Sequence, residues 1–113
     1  LTVRNFRGIP SLKEVECSGE NLTAGLKVFS LAMFKLPEKS LLAYVNHMDN
    51  ECSTFGDFVS CTIDRSDSRK SRLRTLASEL VEGESKVYGC NVSIANSQGH
   101  IHLSTWTIPV MME

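Results

Sequence analysis

Apolar and polar residues alternate with a period of two along most of this chain, the signature of half-buried strands rather than helices. The clearest run is Ser85 to Asn96, SKVYGCNVSIAN. Tyr88, Cys90, Val92 and Ile94 point one way, and Val87, Gly89, Asn91 and Ser93 the other. Leu12 to Cys17 alternates in the same manner, with Val15 and Cys17 on one face. The most apolar stretch, Lys27 to Leu36, sets Phe29, Leu31 and Met33 against Val28, Ser30, Ala32 and Phe34 before Pro37 ends it. Further strands are predicted at Thr2–Phe6, Ser40–Val45, Asp57–Asp64 and Ile101–Val110. Between them lie turn signals: Gly8 and Pro10, the polar run Ser18–Gly25, a loop from Met48 to Gly56 that holds Cys52, and Asn96–Gly99. There is no internal repeat. Short strands at this spacing predict an all-β sandwich or barrel.

One segment departs from the pattern. Leu73, Leu76 and Leu80 stand at helical spacing, and Ser71 is a suitable N-cap. A strand from Leu73 to about Ala77 followed by one helical turn fits the surrounding order better, so residues 71–83 are left open between strand and helix.

Composition narrows the class. The chain has 113 residues, enough for a single domain spanning 1–113, and is 42% hydrophobic and 22% charged. That is globular rather than disordered composition. A net charge of −1 argues against nucleic acid as a partner, which usually demands a basic stripe. The basic cluster Arg65, Arg69, Lys70, Arg72 and Arg74 is interleaved with serines, Asp64 and Asp67, and reads as a solvated loop and strand edge. No apolar run is long enough to span a bilayer, and no signal peptide is visible. A first residue of Leu rather than Met suggests a trimmed or excised domain.

Four cysteines, Cys17, Cys52, Cys61 and Cys90, fit two disulfides, and none of their spacings suits zinc. Two asparagines open glycosylation sequons, Asn21-Leu22-Thr23 and Asn91-Val92-Ser93. Paired cysteines with two sequons point to a secreted or extracellular protein. Asn91 lies between two inward residues and therefore faces solvent; a glycan there would cover its sheet. Val28, Ala32, Phe34, Tyr44 and Val87 are read as an outward apolar patch on that sheet.

Candidate chemistry is sparse. His100 and His102 share a face on a predicted strand, and His47 or Asp49 would be further zinc ligands. Nothing fixes a third ligand, so a solvated strand face is the reading taken, with no metal and no cofactor. Trp106, the one tryptophan, is read as core filling, with a ligand-stacking platform as the alternative. There is no nucleophile elbow, P-loop or zinc-protease helix motif, and paired cysteines leave no thiol for catalysis, so the chain is read as not an enzyme.

The segment Glu84-Ser-Lys-Val-Tyr88-Gly-Cys90 resembles the acidic-x-x-x-Tyr-x-Cys signature of the immunoglobulin superfamily. The resemblance runs from about Leu12 to Val110, with Leu80 at the family's apolar position ahead of the turn. It implies an immunoglobulin-like β-sandwich of two antiparallel sheets, with Cys17 bridged to Cys90 between them. Tyr88 would form the tyrosine corner of the turn that holds Glu84. Cys52 and Cys61, outside the family pattern, would then pair and staple a long exposed loop, with rigidification of the loop leading into the next strand as the alternative. The chain departs from the family in lacking the strand-C tryptophan, where Phe29 or Leu31 stands. Lys86 replaces a small residue, Glu84 replaces the commoner Asp, and Thr75 and Ala77 fall where larger apolar residues are usual.

Within the superfamily, Ser30-Leu31-Ala32-Met33 and Lys86-Val-Tyr88-Gly-Cys90-Asn91 look like the amino-terminal immunoglobulin domains of molluscan fibrinogen-related, lectin-like immune proteins. That resemblance implies a recognition module of a larger secreted or surface protein, with a protein or glycan partner and oligomers formed through the full-length chain. The contact regions would be the loops after the second, fourth and penultimate predicted family strands. The alternatives are a structural spacer that orients a neighbouring lectin domain, and a small zinc-dependent enzyme built on His100 and His102.

Overall fold

In a computed structural model the described residues form nine strands: β1 Thr2–Phe6, β2 Ile9–Ser18, β3 Lys27–Leu36, β4 Ser40–Asn46, β5 Glu51–Thr54, β6 Val59–Thr62, β7 Arg72–Ser78, β8 Lys86–Ala95 and β9 Ile101–Val110. The structure describes all residues except 21, 23–25, 37–38, 57, 79–85, 97 and 111–113, and only the backbone of 9–11, 78 and 86. A single 3-10 turn, Ser68–Lys70, lies between β6 and β7.

All strand pairings are antiparallel. Four strands form one sheet in the order β1-β2-β7-β6, and five form the other in the order β5-β4-β3-β8-β9. This is the strand order of a variable-type immunoglobulin sandwich. The alternation read from the sequence explains the packing. Val15 and Cys17 of β2 and Leu73, Thr75 and Ala77 of β7 meet Leu31 and Met33 of β3, Ala43 and Val45 of β4, and Tyr88, Cys90 and Val92 of β8, all buried. Leu31 is fully buried in this core, and Met33 stands opposite Cys90 in the β3–β8 register.

The Cys17–Cys90 disulfide joins the two sheets through this core, with Cα atoms 5.7 Å apart. Cys52–Cys61 also links the sheets. It ties β5, the edge of the five-stranded sheet, to β6, the edge of the four-stranded one, with Cα atoms 5.9 Å apart. Cys52 therefore lies on a strand, paired with Val45, rather than in a loop. The bridge fastens two sheet edges instead of stiffening a connection. No free cysteine remains, a state that belongs to an oxidising compartment.

Two bulges reset the alternation. In the β3–β8 ladder Val28 pairs with Ile94 and Ser30 with Ser93, which leaves Phe29 as the extra residue. Val28 is thereby turned into the core, correcting its assignment to the outer patch. In the β3–β4 ladder Met33 pairs with Ala43 and Phe34 with Leu41, so Leu42 is the extra residue. Leu42 packs inward, and Leu41 stands beside Phe34 on the outer face. Two of the leucines at helical spacing, Leu73 and Leu76, belong to β7, where Leu73 is registered with Cys17 and Leu76 with Glu14. The turn proposed after Ala77, with Leu80, falls outside the described residues.

Candidate functional site

Pairing at the strand ends (Lys27 with Ala95, Ala95 with Ile101, Ser30 with Asn46, Asn46 with Glu51) brings the β2–β3, β4–β5 and β8–β9 connections to one end of the sandwich. Two of the three are shaped by an asparagine at the strand terminus, a residue suited to such turns because its side chain bonds nearby backbone. Asn46 Oδ1 accepts from the Met48 amide at 3.0 Å. Asn96 Oδ1 accepts from the amides of Gln98 at 2.9 Å and His100 at 3.0 Å, and Gly99 supplies the positive φ of +80° that closes the turn.

The segment Asp64–Ser71 braces this end from beneath. Ser68 Oγ accepts from the Val28 amide at 2.8 Å, at the start of β3. Arg69 Nη1 donates to the Leu22 carbonyl at 3.0 Å, and the Arg69 carbonyl accepts from the Gly19 amide at 3.2 Å. The fully buried Ser71 hydroxyl lies 2.9 Å from His47 Nε2 and accepts from the Asp64 amide at 2.9 Å. Asp64 in turn accepts from the amides of Ser66 and Asp67, which with the Ser66 hydroxyl hold its carboxyl below the usual range. Burial lowers the His47 pKa, opposed by the nearby Asp64 charge.

The basic cluster is accordingly spent on structure. Arg69 forks onto Asp67, whose carboxyl is lowered by that hydrogen bond. Arg72 pairs with Glu16 and Glu20, and Arg74 with Glu16. Arg4 joins Glu14 and Glu16 from β1, so the outer face of the four-stranded sheet is one ion-pair network over two nearly buried glutamates. Arg65 and Lys70 are exposed.

The outer face of the five-stranded sheet is different in kind. The Phe34 ring lies on Gly89, where an added Cβ would run into it. Tyr44 stacks on Phe55, with ring centroids 5.9 Å apart. Val87 is half-buried on the same face, opposite Leu36. Asn91 points outward as its alternation requires, between Ala32 and Thr105, and its Oδ1 accepts from the Thr105 hydroxyl at 2.8 Å. Ala32, Phe34, Leu41, Asn91, Thr105 and Thr107 line a shallow groove of about 420 Å³. At the loop end, Met48, Ile101 and Leu103 are 71%, 57% and 67% exposed.

The remaining candidates fall as follows. His102 lies on β9 opposite Ile94, while His100 precedes the strand in the turn, so the pair does not share a strand face. No group of three or more His, Cys, Asp or Glu side chains gathers at metal-binding distance among the described residues. Trp106 keeps the inward parity, opposite Cys90, yet β9 is an edge strand and its ring is 38% exposed. With Leu1, Gly19, Leu22 and Ile108 it lines a cleft of about 380 Å³ at the open edge between the sheets, which departs from a core-filling role. Tyr88 is buried with Val15, Ala77 and Val110, and burial raises its pKa. The corner partner Glu84, and the sequon at Asn21, lie outside the described residues. At the end opposite the three loops, sequence reading missed Phe58, which is 78% exposed and holds a left-handed φ of +59°.

No family model matches this chain, and no curated protein matches it either.

Proposed function

We propose that this chain is a non-catalytic immunoglobulin domain serving as an extracellular recognition module of a larger secreted or surface immune-type protein. It binds a protein or glycan through the loop end that carries Met48 and Ile101. The observation that carries this reading is the brace from Asp64–Ser71, which reaches the β2–β3 loop, the start of β3 and His47 by side-chain and backbone hydrogen bonds. A sandwich needs no such bracing for its core. Loops held before a partner arrives lose less conformational entropy on binding, which is how rigid scaffolds present contact residues. Two sheet-linking disulfides support an extracellular setting. The lectin-like immune resemblance of Lys86–Asn91 supports the immune context.

The test is a glycan array together with capture from extracellular fluid, using the secreted domain. Met48→Asp and Ile101→Asp are expected to abolish the wild-type signal, and Phe58→Asp at the far end to leave it intact. Loss with Phe58→Asp alone would move the contact to that end. A wild-type domain that retains nothing would favour a spacer that orients a neighbouring lectin domain.

A further inference from the structure

We propose that Asn91 carries an N-linked glycan whose first sugar lies in the groove beside it, so that the outer face of the five-stranded sheet is closed by the chain's own carbohydrate. The inference rests on the extracellular reading above, because attachment requires passage through a glycosylating secretory compartment.

Three observations carry it. The sequon Asn91-Val92-Ser93 straddles the core: Val92 is buried, so Asn91 and Ser93 both emerge on the outer face. The Thr105 hydroxyl donates to Asn91 Oδ1 at 2.8 Å and fixes the carboxamide. Among the described residues no hydrogen bond engages Nδ2, the nitrogen that takes the sugar. Finally, Asn91 is itself part of the groove wall. The groove of about 420 Å³ falls within the range of small-molecule sites. It offers the carbon surfaces of Ala32, Phe34 and Leu41 for the C–H face of a pyranose, and the hydroxyls of Thr105 and Thr107 for its polar rim.

Attachment occurs on the extended chain before the strand is enclosed. Nδ2 forms a bond to the anomeric carbon of N-acetylglucosamine and loses one proton, and the lipid pyrophosphate that carried the oligosaccharide departs. Once β8 is paired, the tether holds the sugar at a high effective concentration against the groove, so even weak contacts are occupied.

The test uses the chain secreted from eukaryotic cells. Peptide mapping is expected to find Asn91 glycosylated, and trimming to a single N-acetylglucosamine to leave Tm unchanged. Ser93→Ala, which keeps Asn91 but abolishes the acceptor, is expected to lower Tm by about 4 °C. In a Phe34→Ala background the same change should lower it by less than about 1 °C. The two unglycosylated proteins made in bacteria should melt together, which assigns the shift to sugar rather than to the serine hydroxyl. Four results would overturn the inference: an unmodified Asn91, a Ser93→Ala variant that melts with glycosylated wild type, a shift unaffected by Phe34→Ala, or the same shift between the two bacterial proteins. Glycan at Asn21 alone would overturn it and leave the extracellular reading standing. Glycan at neither sequon together with reduced cysteines in the native protein would overturn both.

Discussion

Removing the Cys52–Cys61 bridge tests whether the sandwich is held by two independent staples of unequal strength. Each acts by restricting the unfolded chain, and the restriction grows with the loop closed. Cys52–Cys61 spans 9 positions, which gives about 2.5 kcal/mol, whereas Cys17–Cys90 spans 73 and gives about 4.4 kcal/mol. Unfolding entropy of about 2.1 cal/mol/K per residue over 113 residues comes to about 240 cal/mol/K, so losing 2.5 kcal/mol lowers Tm by about 10 °C. A chain of this length has a total stability of about 6 to 17 kcal/mol, so Cys52→Ala/Cys61→Ala remains folded at 25 °C. Cys17→Ala/Cys90→Ala loses core packing as well, because both cysteines are fully buried, and approaches the folding threshold. Urea unfolding followed by circular dichroism measures both. The edge variant should also show a larger m-value, since its unfolded state is freed to expand. An edge variant that loses as much stability as the core variant, or that loses stability with no change in m, would refute the chain-restriction reasoning.

Gly89→Ala forces the new methyl into the Phe34 ring and should cost about 1 to 3 kcal/mol in urea unfolding. In a Phe34→Ala background most of that cost should vanish, as a double-mutant cycle will show. His47 has a lowered pKa in the folded state, so its contribution is complete above the unfolded value near 6.5 and is lost as pH falls through the lower folded value. His47→Gln should flatten the decline in unfolding free energy between about pH 7 and 5, while the decline set by Asp64 and Asp67 begins only near pH 4 and remains. Glu16→Gln leaves exposed Arg4 and half-buried Arg72 and Arg74 around a neutral group and should lower stability by about 1 kcal/mol. Thermal melts in low salt and in about 1 M salt should show that difference shrinking as the network is screened.

Most of the strands were legible because burial on one face imposes a period of two, and the described inward residues of β2, β7 and β8 follow it without interruption, whereas the bulge at Leu42 breaks it in β4. Strand β5 escaped because Glu51-Cys-Ser-Thr54 presents no alternating apolar face; it exists because its backbone completes the β4 ladder and its cysteine reaches β6. Val28 was misplaced because a bulge inserts one residue without a residue-type signal: Phe29 is as apolar as its neighbours. Leu73 and Leu76 stand at helical spacing, yet the strand expected from Leu73 to about Ala77 is the one formed, because pairing with β2 overrides the spacing. The turns led by Asn46 and Asn96 announce themselves in sequence. The brace does not, since Ser68 meets Val28 across 40 positions and Arg69 meets Leu22 across 47.

The two outer faces help decide where a partner can sit. On the four-stranded sheet, Glu14 and Glu16 are nearly buried beneath Arg4, Arg72 and Arg74. A partner docking there would have to break those pairs and strand carboxylates that are already short of water, a cost that attraction rarely repays. The five-stranded sheet has the reverse character, an apolar groove with an acceptor asparagine in its wall, and the sugar proposed at Asn91 would remove it from competition. At the loop end, the described apolar contacts Met48 and Ile101 meet neither obstacle. They need no ion pair to be broken, and Asn46, Asn96 and the Asp64–Ser71 brace hold described backbone at Met48, Gln98, His100, Leu22 and Val28. A partner docking there would incur little ordering and little desolvation of charge, the two terms that most often cancel the gain from burying an apolar contact.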